Sequence, residues 1–325
     1  MNRAIPAIVL GASGYVGGEF LRLLALHPVF ELAAAVSDSR KGERIGDAFP
    51  HLGPVYGERR FAAQDDWPAD IDVSQGIALF SAAPHGTSAK LVAGAIAATA
   101  AHGGVAHVVD ASADFRYADA AGFQAVYGEA HGAPHLLPQF SSGVPEHVTG
   151  TPTPHVGHPG CFATAMLLAA VPLLASDLSD GEFFVSGVTG STGSGRIPQP
   201  GTHHPDRHDN LYAYKPLEHR HVPEVEGLAE RATGRRPVLR FVPHSGPFAR
   251  GIHVTLQARL KPGVTAADLR RAYETAYANT PFVELVSGTP RLKDIVASNR
   301  AQIGVTSGNG VVVVLCVIDN LVKGA

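Results

Sequence analysis

Residues 4–17, AIPAIVLGASGYVG, run a short apolar stretch directly into glycines at positions 11, 14 and 17. Residues 4–10 read as a buried strand, with Pro6 leaving the start of its pairing open. Residues 15–26 return apolar side chains at helical spacing, and residues 30–36, FELAAAV, read as a second strand. Strand, glycine turn, helix and strand within about 35 residues make one βαβ unit. The G-x-x-G-x-x-G spacing gives a tight turn, lets backbone approach a pyrophosphate closely, and aims amide groups from a helix N-terminus at it. Gly11, Ser13, Gly14, Tyr15, Val16 and Gly17 are therefore the first candidate cofactor-binding residues. The second strand leads into Ser37-Asp38-Ser39-Arg40-Lys41, where two signals conflict. Asp38 suits the ribose hydroxyls of NAD, whereas Ser37, Ser39 and Arg40 suit the 2′-phosphate of NADP. The reading leans to NADP and keeps NAD open.

Working outward, strands are expected at residues 77–82 and 105–110, with an Ala-rich helix at 88–101 between them. This alternation predicts an α/β fold, a doubly wound parallel sheet of the Rossmann type, over residues 1–150. The pattern changes near Ser141. A helix at 162–175, strands at 182–189, 238–242 and 251–258, a helix at 266–278 and a strand at 311–317 predict an α+β domain over 151–305. Residues 306–325 are expected to return to the first domain. The Gly/Ser/Pro/His-rich stretch 190–216 shows little periodicity, and a loop that long is usually functional.

At roughly 100–200 residues per domain, 325 residues make about two domains. Apolar residues at 45 % and charged residues at 17 % supply a core and exclude a disordered chain. Lys and Arg total 26 against 29 Asp and Glu, with no basic stripe, which argues against nucleic acid as a partner. No apolar stretch approaches the ~20 residues of a membrane span, and no secretory leader is expected. Two cysteines make no disulfide framework, so a cytoplasmic location is expected.

Those two cysteines read differently. Cys316 lies inside VVVVLCV and reads as structural. Cys161, in HPGCFATA, stands just before a predicted helix, where backbone amides and the helix dipole favour the thiolate. A nucleophilic Cys needs a base, and His219-Arg220-His221-Val222-Pro223-Glu224 offers two histidines, with Glu224 free to orient one or to cap a helix. His203, His204, His208 and His244 add imidazoles, and His204 and His208 have the spacing of two ligands on a helical turn. Pro205 and Asp206 weaken that helix, and no metal is assigned. Arg250 opens a strand and serves either as a clamp on a substrate carboxylate or as a strand-end salt bridge.

Together these segments resemble one family. GASGYVGGEFLRLL from Gly11, PHGTSA from Pro84, DASADFR from Asp110 and HPGCFATA from His158 carry the first half. NLYAYKPLEHRHVPEV from Asn210, FVPHSGPFARGI from Phe241, ASNRAQIG from Ala297 and IDNLVKGA from Ile318 carry the second. The chain resembles the N-acetyl-gamma-glutamyl-phosphate reductases of arginine biosynthesis and their lysine-pathway relatives, which act on a carrier-protein-linked aminoadipyl phosphate. The resemblance implies a semialdehyde-dehydrogenase-like pair of domains, NADP, and a homodimer or homotetramer. It implies Cys161 as the nucleophile that attacks a small-molecule acyl phosphate, possible also on a carrier protein. His219 is the favoured base, His221 a phosphate or substrate contact, and Glu224 an orienting group. Pro84, His85 and Gly86 join the cofactor residues, and Ser112, Arg116 and Arg250 become substrate contacts.

Three departures qualify the match. Family members often carry a basic residue at Asp38, TGSGRIPQPGTHHPDRHDN from Thr192 is closer to the lysine-pathway relatives, and family members generally continue past IDNLVKGA into a helix, whose absence is read either as loosening the nucleotide domain or as a shortened chain, with both readings open. An aspartate-semialdehyde dehydrogenase shares the Cys chemistry but is not expected to carry the AYK…HRHxPE segment. A non-catalytic NAD(P)-binding sensor predicts the glycine turn without a paired Cys and His.

Overall fold

In the computed structural model, which describes residues 4–67, 71–74, 76–148 and 153–325, the apolar run ahead of the glycines is strand β1 (Ile5–Leu10). Helix α1 (Tyr15–Leu24) follows, then β2 (Phe30–Val36), two single-turn helices α2 (Ile45–Ala48) and α3 (Gly53–Tyr56), and β3 (Ile77–Ser81). Next come α4 (Ser88–Ala101), β4 (Ala106–Asp110), α5 (Ala120–Tyr127), β5 (Phe140–Ser142) and β6 (His155–Gly157). The sheet order is β2-β1-β3-β4-β6-β5 and every pair is parallel. Pro6 fits because β3 pairs with β1 only from Ala7 onward, so the missing N–H falls where β1 has a neighbour on one side alone. Alternate residues of β1 enter opposite cores: Ile8 and Leu10 join Leu79 and Val92, whereas Ala7 and Val9 join Leu21 and Leu32. A strand buried on both faces reads as a continuous apolar run, which AIVL does.

The chain divides into two units, Met1–Ser142 with Thr151–His158, and Gly143–Gly150 with Pro159–Ala325. The expected boundary at 150 is therefore crossed more than once. The expected return of residues 306–325 to the first unit does not occur. β12 (Ala301–Gly308) and β13 (Val311–Ile318) pair with each other, and β13 also pairs with β10 (Ile252–Arg259) along its whole length. Val312, Val314 and Cys316 are fully buried in the second unit's own core, which is why this run belongs there.

That second unit starts from helix α6 (Cys161–Ala175), in which every residue from Phe162 to Leu174 is buried. A helix apolar all round has to be surrounded. It is enclosed by a mixed sheet in the order β11-β12-β13-β10-β7-β9-β8 and by two further helices, α8 (His221–Thr233) and α9 (Ala266–Tyr277). The remaining strands are β7 (Glu182–Thr189), β8 (Tyr212–Ala213), β9 (Val238–Ser245) and β11 (Val283–Val286). Pro172 inside α6 has no N–H for the carbonyl of Leu168, and the Tyr277 hydroxyl donates to that carbonyl at 2.6 Å instead. The aperiodic stretch 190–216 holds only the single-turn helix α7 (His204–Arg207), short 3-10 turns and β8, which pairs with the edge of β9.

Candidate active site

The carboxyl ends of the adjacent strands β1, β2 and β3 collect the nucleotide candidates, as expected at a switch point of a parallel sheet. Gly11 has φ +67°, and a Cβ there would stand 2.6 Å from Ala82 O in the β3–α4 turn. A Cβ on Gly17 would stand 2.5 Å from Gly11 O. The fold itself demands both glycines. Gly14 is different, because a Cβ there meets nothing closer than Gly11 O at 3.5 Å. That open space ahead of the α1 amides is what close backbone approach to a pyrophosphate uses.

At the ribose end, the hydroxyls of Ser13 and Ser37 lie 2.7 Å apart and those of Ser37 and Ser39 3.3 Å apart. Arg40 is ion-paired with Glu43 at 2.7 Å and Lys41 with Asp66 at 2.9 Å. Asp38 accepts from the Gln64 amide at 3.0 Å, so its carboxylate is engaged by backbone. Three hydroxyls and an exchangeable guanidinium fit the 2′-phosphate of NADP.

In the β3–α4 turn, Pro84 and His85 are exposed and Gly86 has φ +80°. Asp114 holds this turn, accepting from Gly86 N at 2.7 Å and Ala89 N at 2.8 Å. Below it Asp110 is fully buried, accepting from Ser112 Oγ at 2.5 Å and Ser88 Oγ at 2.6 Å. Burial pushes its carboxyl up to about 6. Asp110 and Asp114 were both visible in DASADFR, but nothing in that string signals which backbone amides they meet. Ser112 is thus spent on Asp110, and Arg116 on the carbonyls of His158 and Ala111 at 2.8 and 2.9 Å.

The second unit assembles the thiol chemistry. Cys161 is the first residue of α6, its carrier Gly160 is extended (φ −63°, ψ 157°), and Thr164 N donates to Gly160 O at 2.8 Å. The Gly160 amide donates to Glu224 Oε1 at 2.7 Å, and a Cβ on Gly160 would overlap the His221 ring at Nε2. Glycine is needed there for close approach of that ring. His221 and Glu224 share the first turn of α8, three residues apart, and both are buried.

His219 sits beside them, its ring 4.6 Å from that of His221 and edge-on to Phe162, Tyr214 and Phe241 at 5.8, 5.7 and 5.4 Å. Its Nδ1 accepts from the His221 amide at 3.2 Å. A backbone N–H only donates, so neutral His219 carries its proton on Nε2. Burial, then the charges of Arg220 and Lys215, push it down to about 4. Tyr214 is an addition to the expected set. Burial, reinforced by charge at Cys161, pushes its phenol upward. Cys316 is buried and pushed up to about 12, an inert thiol as its strand pattern suggests. His204 and His208 face each other at 5.2 Å, but among the described residues no three His, Cys, Asp or Glu side chains gather as a metal site.

Residues 6–147 match the model of the semialdehyde dehydrogenase NAD binding domain, and residues 161–320 that of the semialdehyde dehydrogenase dimerisation domain. N-acetyl-gamma-glutamyl-phosphate reductase of Rhodospirillum rubrum is 37 % identical over 100 % of this chain and 92 % of its own length. That of Ectopseudomonas mendocina is 38 % identical over 98 % and 91 %. The chain belongs to the N-acetyl-gamma-glutamyl-phosphate reductase family.

Among solved structures, aspartate semialdehyde dehydrogenase II of Vibrio cholerae, complexed with ASA, superposes with a TM-score of 0.70 at 15 % identity, covering 100 % of this chain and 95 % of its own. Aspartate semialdehyde dehydrogenase of Candida albicans, solved with NADP, gives 0.69 at 14 % identity, covering 98 % and 94 %. At such identities the likeness is one of fold, and the semialdehyde dehydrogenase fold is what both units display. Within the reductase family's second domain, Arg250 resolves to one of its two readings: its Nε and Nη2 donate to the fully buried Asp319 at 3.0 and 3.1 Å. The strand-end salt bridge of the two readings is present in the structure.

Proposed function

We propose that this chain reduces N-acetyl-gamma-glutamyl phosphate to N-acetylglutamate semialdehyde with NADPH, releasing inorganic phosphate, a step of arginine biosynthesis. The observation that carries the reading is Cys161 at the head of a buried helix, with His221 lodged against Gly160 and Glu224 holding the Gly160 amide. In this reading His221, rather than His219, takes the thiol proton, because His219 already has its Nδ1 committed to an amide. The Cys161 thiolate attacks the acyl carbon; the S–C bond forms, the C–O bond to phosphate breaks, and phosphate leaves. Gly14, the α1 amides, Ser13, Ser37, Ser39 and Arg40 would hold NADPH, which when bound would supply the hydride. The resulting thiohemiacetal oxyanion is stabilised by the first-turn amides of α6 and by the Nε2–H of neutral His219. Collapse of that oxyanion breaks the S–C bond and frees the semialdehyde, and the thiolate recovers its proton from His221. Ser112 and Arg116 support strand ends in this scheme.

The second unit also offers a surface to another copy. β7, β9, β10 and β13 turn Phe183, Phe241, Val254 and Val314 toward the helices, and their alternate residues Phe184, Val242, Thr255 and Val313 to the opposite face. That face, with Phe184 55 % exposed, suits a homodimer. Two cysteines outside any disulfide suit a reducing compartment such as the cytoplasm. Among the described residues no helix is long and apolar enough to cross a membrane.

The test runs the reaction in reverse, following NADPH absorbance with N-acetylglutamate semialdehyde, NADP and inorganic phosphate, with arsenate replacing phosphate as a check on acyl transfer. Phosphate-dependent NADPH formation is expected, with Cys161→Ser slower by on the order of 10⁴-fold or more. Turnover only with a carrier-linked aminoadipyl substrate, or turnover surviving in Cys161→Ser, overturns the reading.

A further inference from the structure

After β13 the chain makes a tight turn, residues 319–324, that the chemistry above does not use. Besides Arg250, Asp319 accepts from Ala297 N at 2.6 Å and Leu321 N at 2.8 Å. Asn320 accepts from Gly251 N at 2.7 Å and donates to Thr192 Oγ1 at 3.0 Å. Lys323 is ion-paired with Glu146, their side chains only 6 % and 5 % exposed. The neighbour of Glu146, His147, lies 3.1 Å from the Tyr277 hydroxyl that serves the Leu168 carbonyl of α6. Gly324 N donates to Asp319 O at 3.0 Å and closes the turn over Cys161. A Cβ on Gly324 would stand 3.1 Å from Cys161 Cβ, 3.2 Å from its Cα and 3.1 Å from Asn320 Cα. Gly324 is not among the glycines with positive φ. Its lack of a side chain therefore answers to closeness and not to backbone freedom.

We propose that the 319–324 turn is a backstop that positions the Cys161 thiol, with Gly324 as a positioning residue and the buried Lys323–Glu146 pair as its lock. The proposal rests on the reading of Cys161 as nucleophile. A methyl group on Gly324 has to be accommodated by displacing either the turn or Cys161 by a few tenths of an ångström. Turn side chains anchored to Arg250, Gly251, Thr192 and Glu146 resist the first, so the nucleophile moves.

Gly324→Ala is expected to lower kcat roughly tenfold while KM stays within about twofold. Alkylation by iodoacetamide should slow to a similar degree, and Cys316, fully buried, does not contaminate that signal. Gly308→Ala, whose Cβ meets nothing within 4 Å, is the control with unchanged kcat. The double variant Lys323→Met/Glu146→Gln removes both charges together, so that neither is left buried alone, and should lower kcat and alkylation severalfold. Unchanged kcat and alkylation in Gly324→Ala, or a change in KM alone, overturns the proposal; if that variant fails to fold, the double variant decides by the same two readouts. An inactive Cys161→Ser beside a normal Gly324→Ala removes the backstop and leaves the thiol mechanism standing, whereas an active Cys161→Ser removes the mechanism itself.

Discussion

At the end of β1, three glycines within seven residues shape a turn in which Gly14 alone leaves open space; at the start of α6, Cys161, His219, His221 and Glu224 present side chains drawn from two distant segments. The contact between Gly160 and Glu224 spans 64 positions of sequence, whereas Gly11 and Gly17 touch within one turn of chain. The first site is made of shape and amides, so its requirements fall on residues that lack side chains. The second is made of titratable side chains, so its requirements fall on tautomer, burial and register. Substitutions should therefore fail differently in the two units.

The largest effect belongs to the side-chain site, where Cys161→Ser should remove on the order of 10⁴ in turnover and leave folding untouched. Within the backbone site, Gly17→Ala should instead cost stability, about 3 kcal/mol, because the Gly11 carbonyl it meets at 2.5 Å is main chain and cannot swing away. Gly14→Ala is its partner experiment: it should fold normally, since its Cβ has room, and yet bind the dinucleotide about tenfold more weakly. Thermal unfolding and NADPH titration of the two glycine variants separate these outcomes. Equal stability losses in both would mean that the turn is merely tight, and the contrast between the units would collapse.

How far each site was legible follows from the same difference. AIPAIVLGASGYVG announces a strand, a turn and a helix because the physics is local, and the parallel sheet follows from repetition of that pattern. Cys161 and the His219–His221 segment were legible as a candidate thiol and base, since a thiol before a helix asks for a base. Their arrangement was not legible, because it depends on an amide of residue 221 reaching Nδ1 of residue 219 and on α8 lying against Gly160. Arg250 shows the same limit: a strand-opening guanidinium is ambiguous until Asp319, brought alongside by the pairing of β10 with β13, claims it. Residues 306–325 were misplaced because VVVVLCV fits a buried strand in either sheet, and only cross-strand partners distinguish the two.

Titration gives a second contrast of smaller size. Burial holds His147 and His219 down to about 4 in the second unit, against 6.5 unperturbed. Between those values the unfolded chain binds more protons than the folded one, so this unit loses stability as pH falls through the window. Asp110, in the first unit, runs the other way. Its folded value of about 6 against 3.8 means that the folded state binds the extra proton, and stability is lost as pH rises through 6. Moving from pH 7.5 to 5 should weaken the second unit and strengthen the first, each group by about 1–2 kcal/mol. Trp67 lies buried in the first unit, so its fluorescence, compared with circular dichroism of the whole chain, reads the two apart. Asp110→Asn should flatten the tryptophan-detected curve, and His147→Gln the remainder. Parallel curves at both pH values would remove the contrast.

The ribose end of the nucleotide site is where the first unit departs from backbone chemistry, and the smallest effect tests that exception. Ser13, Ser37 and Ser39 present hydroxyls, and Arg40 can exchange its exposed pair with Glu43 for a phosphate at little cost, since such pairs contribute at most about 1 kcal/mol. One oxygen of the Asp38 carboxylate already accepts from Gln64 N. Arg40→Ala should therefore raise KM for NADPH about fivefold to tenfold and leave NADH nearly unchanged, a loss near 1 kcal/mol confined to one cofactor. Asp38→Asn should alter neither preference by more than about twofold, since the amide oxygen can still accept from Gln64. If instead the parent enzyme favours NADH and Asp38→Asn abolishes that preference, the carboxylate reads the ribose and the hydroxyl cluster is only a turn. The first unit would then read its cofactor through one acid, and side-chain chemistry would govern both sites.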